Sequence, residues 1–188
     1  HGGTSLAPFD SMNCSHGVGD LSEAVAAIRE ELKTSLGIST LLSAVQVHGD
    51  DIFVLKDSLQ GDLEVSGYDA LITDRRGVGL VIQHADCQAI MMYDPGRQVI
   101  AAVHSGWRGN VADIAVKTIH KLIDEFGVAA HDLRIYVSPS LGPCCAEFVN
   151  YKTELPESFI EFKDDNDHFD FWRITENQLR GVGVDMEH

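Results

Sequence analysis

Two histidines and one cysteine, His48, Cys87 and His104, each stand where a run of apolar residues stops. In Val45-Gln46-Val47-His48-Gly49 an imidazole ends such a run, and the glycine behind it permits close backbone approach or a positive φ. Cys87 closes the turn His84-Ala85-Asp86-Cys87 between two apolar runs, and His104 ends Val99 to Val103. Singly, each has an ordinary reading: a hydrogen-bonded core histidine, or a small buried cysteine. Together, one thiolate and two neutral imidazoles on separate strand ends suit a catalytic Zn2+ site, with three protein ligands and a fourth position open. Such an ion lowers the pKa of bound water from roughly 15.7 to about 7, which makes a nucleophile at working pH. Cu2+ is the alternative ion.

The residues around these three carry further chemistry. His104-Ser105-Gly106-Trp107-Arg108-Gly109-Asn110 compresses an imidazole, a stacking surface and a fixed cation into a strand-to-helix turn, and a helix N-terminus favours anions. Asp86 is expected to orient one imidazole by hydrogen bonding from behind. His84 is a substitute ligand or proton shuttle. Of the adjacent pair Cys144 and Cys145, one is expected to line the pocket, since neighbouring cysteines rarely clamp a single zinc.

Elements that could hold these groups are legible from periodicity. Asp20 and Glu23 have the spacing of a capping pair for a helix with Leu21, Val25, Ile28, Leu32 and Leu36 on one face, closed by Gly37. A second helix is expected from Val111 to Phe126, closed by Gly127. Strands are expected at Leu42 to His48, Ile52 to Leu55, Ala70 to Thr73, Gly79 to Gln83, Ala89 to Tyr93, Val99 to His104 and Leu133 to Val137. Several are almost continuously apolar, so the sheet should be buried on both faces beneath helices.

With 188 residues, 44% of them hydrophobic, residues 1–188 are expected to form a single domain. A net charge of −15 and a pI near 4.8 argue against nucleic acid or an anionic membrane as partner, and a small molecule is expected instead. No apolar run reaches the roughly 18 residues of a membrane span, nothing resembles a signal peptide, and four unevenly spaced cysteines do not form a secreted framework. A cytoplasmic protein, monomeric or weakly oligomeric, is expected. The first residue is His1 and the last His188, and both natural termini are expected to lie beyond them.

Several stretches together resemble the YfiH/YlmD-type family, once labelled polyphenol oxidoreductases or laccase-domain proteins. They are His1-Gly2-Gly3 through Pro8-Phe9-Asp10-Ser11-Met12-Asn13, Gln46-Val47-His48-Gly49, Asp69-Ala70-Leu71-Ile72-Thr73, Ala85-Asp86-Cys87, Asp94-Pro95, Ala101 to Asn110, and Gly142-Pro143-Cys144-Cys145. Family members continue with a Cys-Thr segment and a basic Tyr-Arg stretch that this sequence does not contain. The resemblance implies an α+β fold layered α/β/β/α, YfiH-like, with helices outside two packed mixed β-sheets. It implies His48, Cys87 and His104 as metal ligands and catalytic groups, and Asn13, Trp107, Arg108 and Cys144 as substrate- or phosphate-binding residues.

The chemistry it implies is phosphorolysis of purine nucleosides, methylthioadenosine included, together with adenosine deamination. Arg108 is then the first choice for holding phosphate, while Trp107 either stacks on the base or packs under its turn. Rival readings are a copper oxidase of phenols, a hydrolase with Cys87 as nucleophile and His104 as base, and a nucleoside sensor without turnover. The first needs several coppers, and the sequence has no His-x-His.

Overall fold

The computed structural model describes residues 2–187; His1, in the first of the resembling stretches, and His188 lie outside them. Three parallel strands form a small sheet in the order β3-β1-β5, made of β1 (Thr40–Val45), β3 (Leu63–Ser66) and β5 (Val78–Val81). Five form a mixed sheet in the order β2-β4-β7-β6-β8: β2 (Ile52–Leu55), β4 (Ala70–Thr73), β7 (Val99–Ser105), β6 (Gln88–Asp94) and β8 (Arg134–Val137). The chain crosses from β1 to β2 and back to β3, so the sheets are built together. Leu42 and Ala44 of β1 meet Leu55 and Leu71 of the larger sheet in one apolar layer.

Helix α1 (Ser22–Leu36) lies on the far face of the small sheet, where Arg29 Nη1 donates to Ser43 Oγ. On the outer face of the large sheet, α3 (Ile114–Phe126) and α5 (Phe171–Gly181) bury Ile114, Ile119, Leu122 and Leu179 against Ile72, Ile90 and Val103. The α/β/β/α layering and the α+β class are therefore those expected.

The differences from expectation have local causes. Asp20 does not cap α1: Leu21 precedes the helix in extended conformation, and the Asp20 carboxylate accepts from Ser5 Oγ at 2.6 Å and Asn13 Nδ2 at 2.9 Å. Gly37 does close it, with φ 65°. The helix expected from Val111 begins earlier and breaks in two, as α2 (Trp107–Val111) and α3. At the break Asp113 has φ 57°, and Gln178 Nε2 of α5 donates to its carboxylate and to the Asn110 carbonyl.

The strand expected to run to His48 stops at Val45, because residues 47–49 turn their amides onto a side chain. Burial on both faces holds for β4 but not for β6, where Met91 and Tyr93 face solvent beyond the edge of the small sheet. Not anticipated were β3, the short helix α4 (Tyr151–Glu154) and an aromatic cluster in which Trp107 and Phe148 pack against Phe159, Phe169 and Phe171.

Ile119 is fully buried and Leu36 is exposed, although both belong to apolar helix faces. Ile119→Ala is expected to cost about 3 kcal/mol, lowering Tm by roughly 10 °C, and Leu36→Ala less than about 0.5 kcal/mol. Thermal melts of both variants check this, and equal losses would contradict the layering.

Candidate metal centre

Asp69, the residue before β4, has no exposed surface. A buried carboxylate is costly without donors, and this one has four. Its Oδ2 accepts from the backbone N–H of Val47 at 3.1 Å and Gly49 at 2.8 Å; its Oδ1 accepts from the His48 N–H at 3.0 Å and lies 2.8 Å from His104 Nδ1. The Asp69 carbonyl also accepts the His104 N–H at 2.7 Å. These bonds hold His48 at φ 60°, a left-handed conformation that is uncommon for residues other than glycine.

Because Nδ1 of His104 faces a carboxylate, it carries the proton, and Nε2 presents its lone pair to the site. One ligand atom each from His48, Cys87 and His104 lies within 4.8 Å of the others. The imidazoles meet edge to face, with centroids 4.7 Å apart and planes at 90°. Space beside them is limited: a Cβ on Gly106 would lie 3.1 Å from both Cys87 Sγ and His48 Cδ2. A side chain there would push on both residues by a few tenths of an ångström.

Burial lowers the pKa of His104, partly opposed by its bond to Asp69, so the ring is neutral at physiological pH. Burial raises that of the Cys87 thiol, and the nearby charges of Asp86 and Asp69 raise it further. The donors thus fit a metal: one neutral imidazole ready to bind, and one thiol that surrenders its proton on binding.

Two of these three candidate ligands, Cys87 and His104, are held from the other side by a buried polar network. Gln88 and Ser105 follow Cys87 and His104 and are paired across β6 and β7. Asn110 Nδ2 donates to Ser105 Oγ at 3.0 Å and to Gln88 Oε1 at 3.3 Å. Thr175 Oγ1 of α5 lies 2.6 Å from Gln88 Oε1 and 3.1 Å from Asn110 Oδ1, sharing one proton between them. All four residues are buried, so α2 and α5 fix the strand ends that carry Cys87 and His104.

The other expected site residues fall into two groups. Asn13, His84 and Asp86 line, with His48, Cys87 and His104, a cleft of about 1040 Å³. Asn13 also braces its own loop through Ser15 and Asp20, and His84 Nδ1 donates to the Cys87 carbonyl at 2.9 Å. Asp86 is exposed and does not orient an imidazole; Asp69, which sequence reasoning did not single out, takes that place. Trp107 packs edge to face on Phe148, and the exposed Arg108 guanidinium lies 4.1 Å over its ring. Cys144 is exposed on a separate turn and does not line the cleft.

Residues 1–188 match the family model described as "Multi-copper polyphenol oxidoreductase laccase". The chain belongs to this family. A purine nucleoside phosphorylase of Bacteroides thetaiotaomicron is 31% identical over 202 residues, covering 97% of this chain and 74% of the relative. Purine nucleoside phosphorylase ORF3 of Streptomyces griseus is 33% identical over 150 residues, 78% of this chain and 60% of its own. The crystal structure of YlmD from Geobacillus stearothermophilus superposes with a TM-score of 0.86 at 28% identity, covering all of this chain and 76% of that one. The fold is also that of Bacillus licheniformis YfiH, with a TM-score of 0.83 at 23% identity over 98% of this chain and 76% of that one. This laccase-family chain thus carries a His-Cys-His group, and its curated relatives are named for purine nucleoside phosphorolysis.

Carboxylates that fix metal-bound histidines are worth about 10–100-fold in affinity. Asp69→Asn is therefore expected to weaken zinc binding by at least about tenfold in chelator competition, and Asp86→Asn by less than about threefold. Because the Cys87 pKa is raised, the apo thiol is protonated at neutral pH. Apparent zinc affinity should then rise about tenfold per pH unit between roughly pH 6.5 and 8, with one proton released per ion. A flat profile would contradict a thiol ligand.

Proposed function

We propose that this chain is a cytoplasmic, zinc-dependent purine nucleoside phosphorylase, acting on methylthioadenosine as well and also deaminating adenosine. The observation that carries the reading is the convergence of His48, Cys87 and His104, with His104 braced by Asp69, on a cleft large enough for a nucleoside. The names of the relatives supply the substrate class. Zinc held by these three side chains would supply Lewis acidity for both reactions.

The chain's own residues do the rest. Purine nucleoside enters the cleft between the Asn13 to Val18 loop and the 83–87 turn. Phosphate is held by Arg108, which stands outside the lining of that cleft, beside the neighbouring pocket that Trp107 shares with Cys87; its guanidinium is extended on Trp107 and has no carboxylate partner among the described residues. Trp107, fixed by Phe148 on one side and Arg108 on the other, serves as platform for that arginine rather than for the base. His84, on the cleft wall, exchanges a proton with the departing purine through Nε2.

The family description favours a second reading, copper-dependent oxidation of phenols. Several coppers need several ligand sets, and among the described residues His48, Cys87 and His104 form the one group able to hold an ion. A Cys87 hydrolase needs a lowered thiol pKa, whereas that of Cys87 is raised.

His104→Ala is expected to abolish both inosine phosphorolysis and adenosine deamination. In zinc-replete Arg108→Ala, lost charge-assisted bonds of about 1.5–3 kcal/mol should weaken phosphorolysis by roughly 10- to 100-fold, through a raised KM for phosphate. Deamination uses no phosphate and should fall less than about threefold. Hypoxanthine release at varied phosphate, beside adenosine-to-inosine conversion, makes the comparison, and equal losses would show that Arg108 does not serve phosphate.

A further inference from the structure

All four cysteines are unpaired, and two of them lie outside the metal centre. Gly142-Pro143-Cys144-Cys145 forms a tight turn in which the N–H groups of Cys145 and Ala146 donate to the Gly142 carbonyl at 3.0 and 3.2 Å. Pro143 fixes one backbone angle, and Gly142 packs so closely on Trp172 that a Cβ would lie 3.1 Å from its ring. Ala146 is buried just beyond. The backbone beneath the two thiols is therefore fixed. Their sulfurs stand 3.2 Å apart with both residues exposed to solvent.

We propose that Cys144 and Cys145 form a dithiol site for exchange with low-molecular-weight disulfides of the glutathione class. The Cys144 thiolate attacks one sulfur of the small disulfide, whose S–S bond breaks and releases the first small thiol. A mixed disulfide is left on Cys144. Cys145 gives its proton to solvent and attacks the Cys144 sulfur, which expels the second small thiol and closes a Cys144–Cys145 bond. Two protein thiols are oxidised and one external disulfide is reduced to two thiols, so electrons balance without another oxidant.

The order of attack follows from the sulfur–sulfur contact. The hydrogen bond with the neighbouring Cys144 raises the Cys145 pKa, which favours Cys145 as the thiol that enters second. Adjacent Cα atoms lie about 3.8 Å apart across a trans peptide, below the roughly 4.4 Å at which ordinary disulfides begin. The closed ring is thus strained, and excess small thiol reopens it. Cys14 and Cys87 are poorer reactants, being half-buried with thiol pKa values raised by burial. The turn also adjoins the centre, since the Leu141 N–H donates to the Asp86 carbonyl one residue before Cys87.

The test equilibrates zinc-replete protein with mixtures of oxidised and reduced glutathione, quenches in acid, alkylates free thiols and weighs the tryptic peptide Ile135–Lys152. The wild-type peptide should lose both alkylatable thiols together, with the mass of two hydrogens, and regain both in excess reduced glutathione. Cys145→Ser, an exposed substitution, should instead retain glutathione on Cys144. Glutathione persisting on the wild-type peptide, or both thiols staying alkylatable while Cys14 or Cys87 oxidises, would overturn the proposal.

Discussion

A carboxylate without solvent contact must collect hydrogen bonds or destabilise the fold, and Asp69 collects them from three successive amides and one imidazole. Much of the site's geometry follows. The loop after β1 bends back so that Val47, His48 and Gly49 point their N–H groups inward, which forces His48 into a left-handed conformation and turns its ring towards His104. The same carboxylate selects the His104 tautomer. One side chain thereby connects the small sheet, through β1, with the large sheet, through β4 and β7.

The sheet topology explains why these groups meet. β4 and β7 are antiparallel, with Ala70 opposite Val103, so the residue before β4 lies beside the end of β7. β6 and β7 are also antiparallel, with Gln88 opposite Ser105, so Cys87 precedes β6 where His104 leaves β7. The end of β1 arrives from the other layer. Rigid strands thus set the backbone positions, and short turns set the side chains. The Gln88, Ser105, Asn110 and Thr175 network stiffens this end of the molecule from the helical side, which suits an ion that requires fixed donor distances.

The convergence of His48, Cys87 and His104 was legible as a candidate because each ends an apolar run, a pattern that places a polar group near a strand end whatever the topology. Asp69 was not singled out because an aspartate before Ala70-Leu71-Ile72-Thr73 reads locally as a surface turn. Its burial depends on which strand end lies opposite, and that is a long-range property. Asp86 drew attention by adjacency to Cys87, yet its turn directs it to solvent. What α5 packs against is likewise a long-range property: its Thr175 bonds Gln88 of β6 and Asn110 of α2, and its Gln178 bonds the α2–α3 break. The expected capping role of Asp20 was overridden by Ser5 and Asn13, which approach from fifteen and seven residues away.

The central claim is that His48, Cys87 and His104 together hold one zinc ion. Anomalous diffraction recorded on both sides of the zinc absorption edge, from protein purified without added metal, tests it most directly. A single peak of about one zinc per chain is predicted, roughly 2.0–2.1 Å from a nitrogen of each histidine and about 2.3 Å from Cys87 Sγ. A peak that responds at the copper edge instead, several metal peaks, or one zinc held elsewhere would contradict the account.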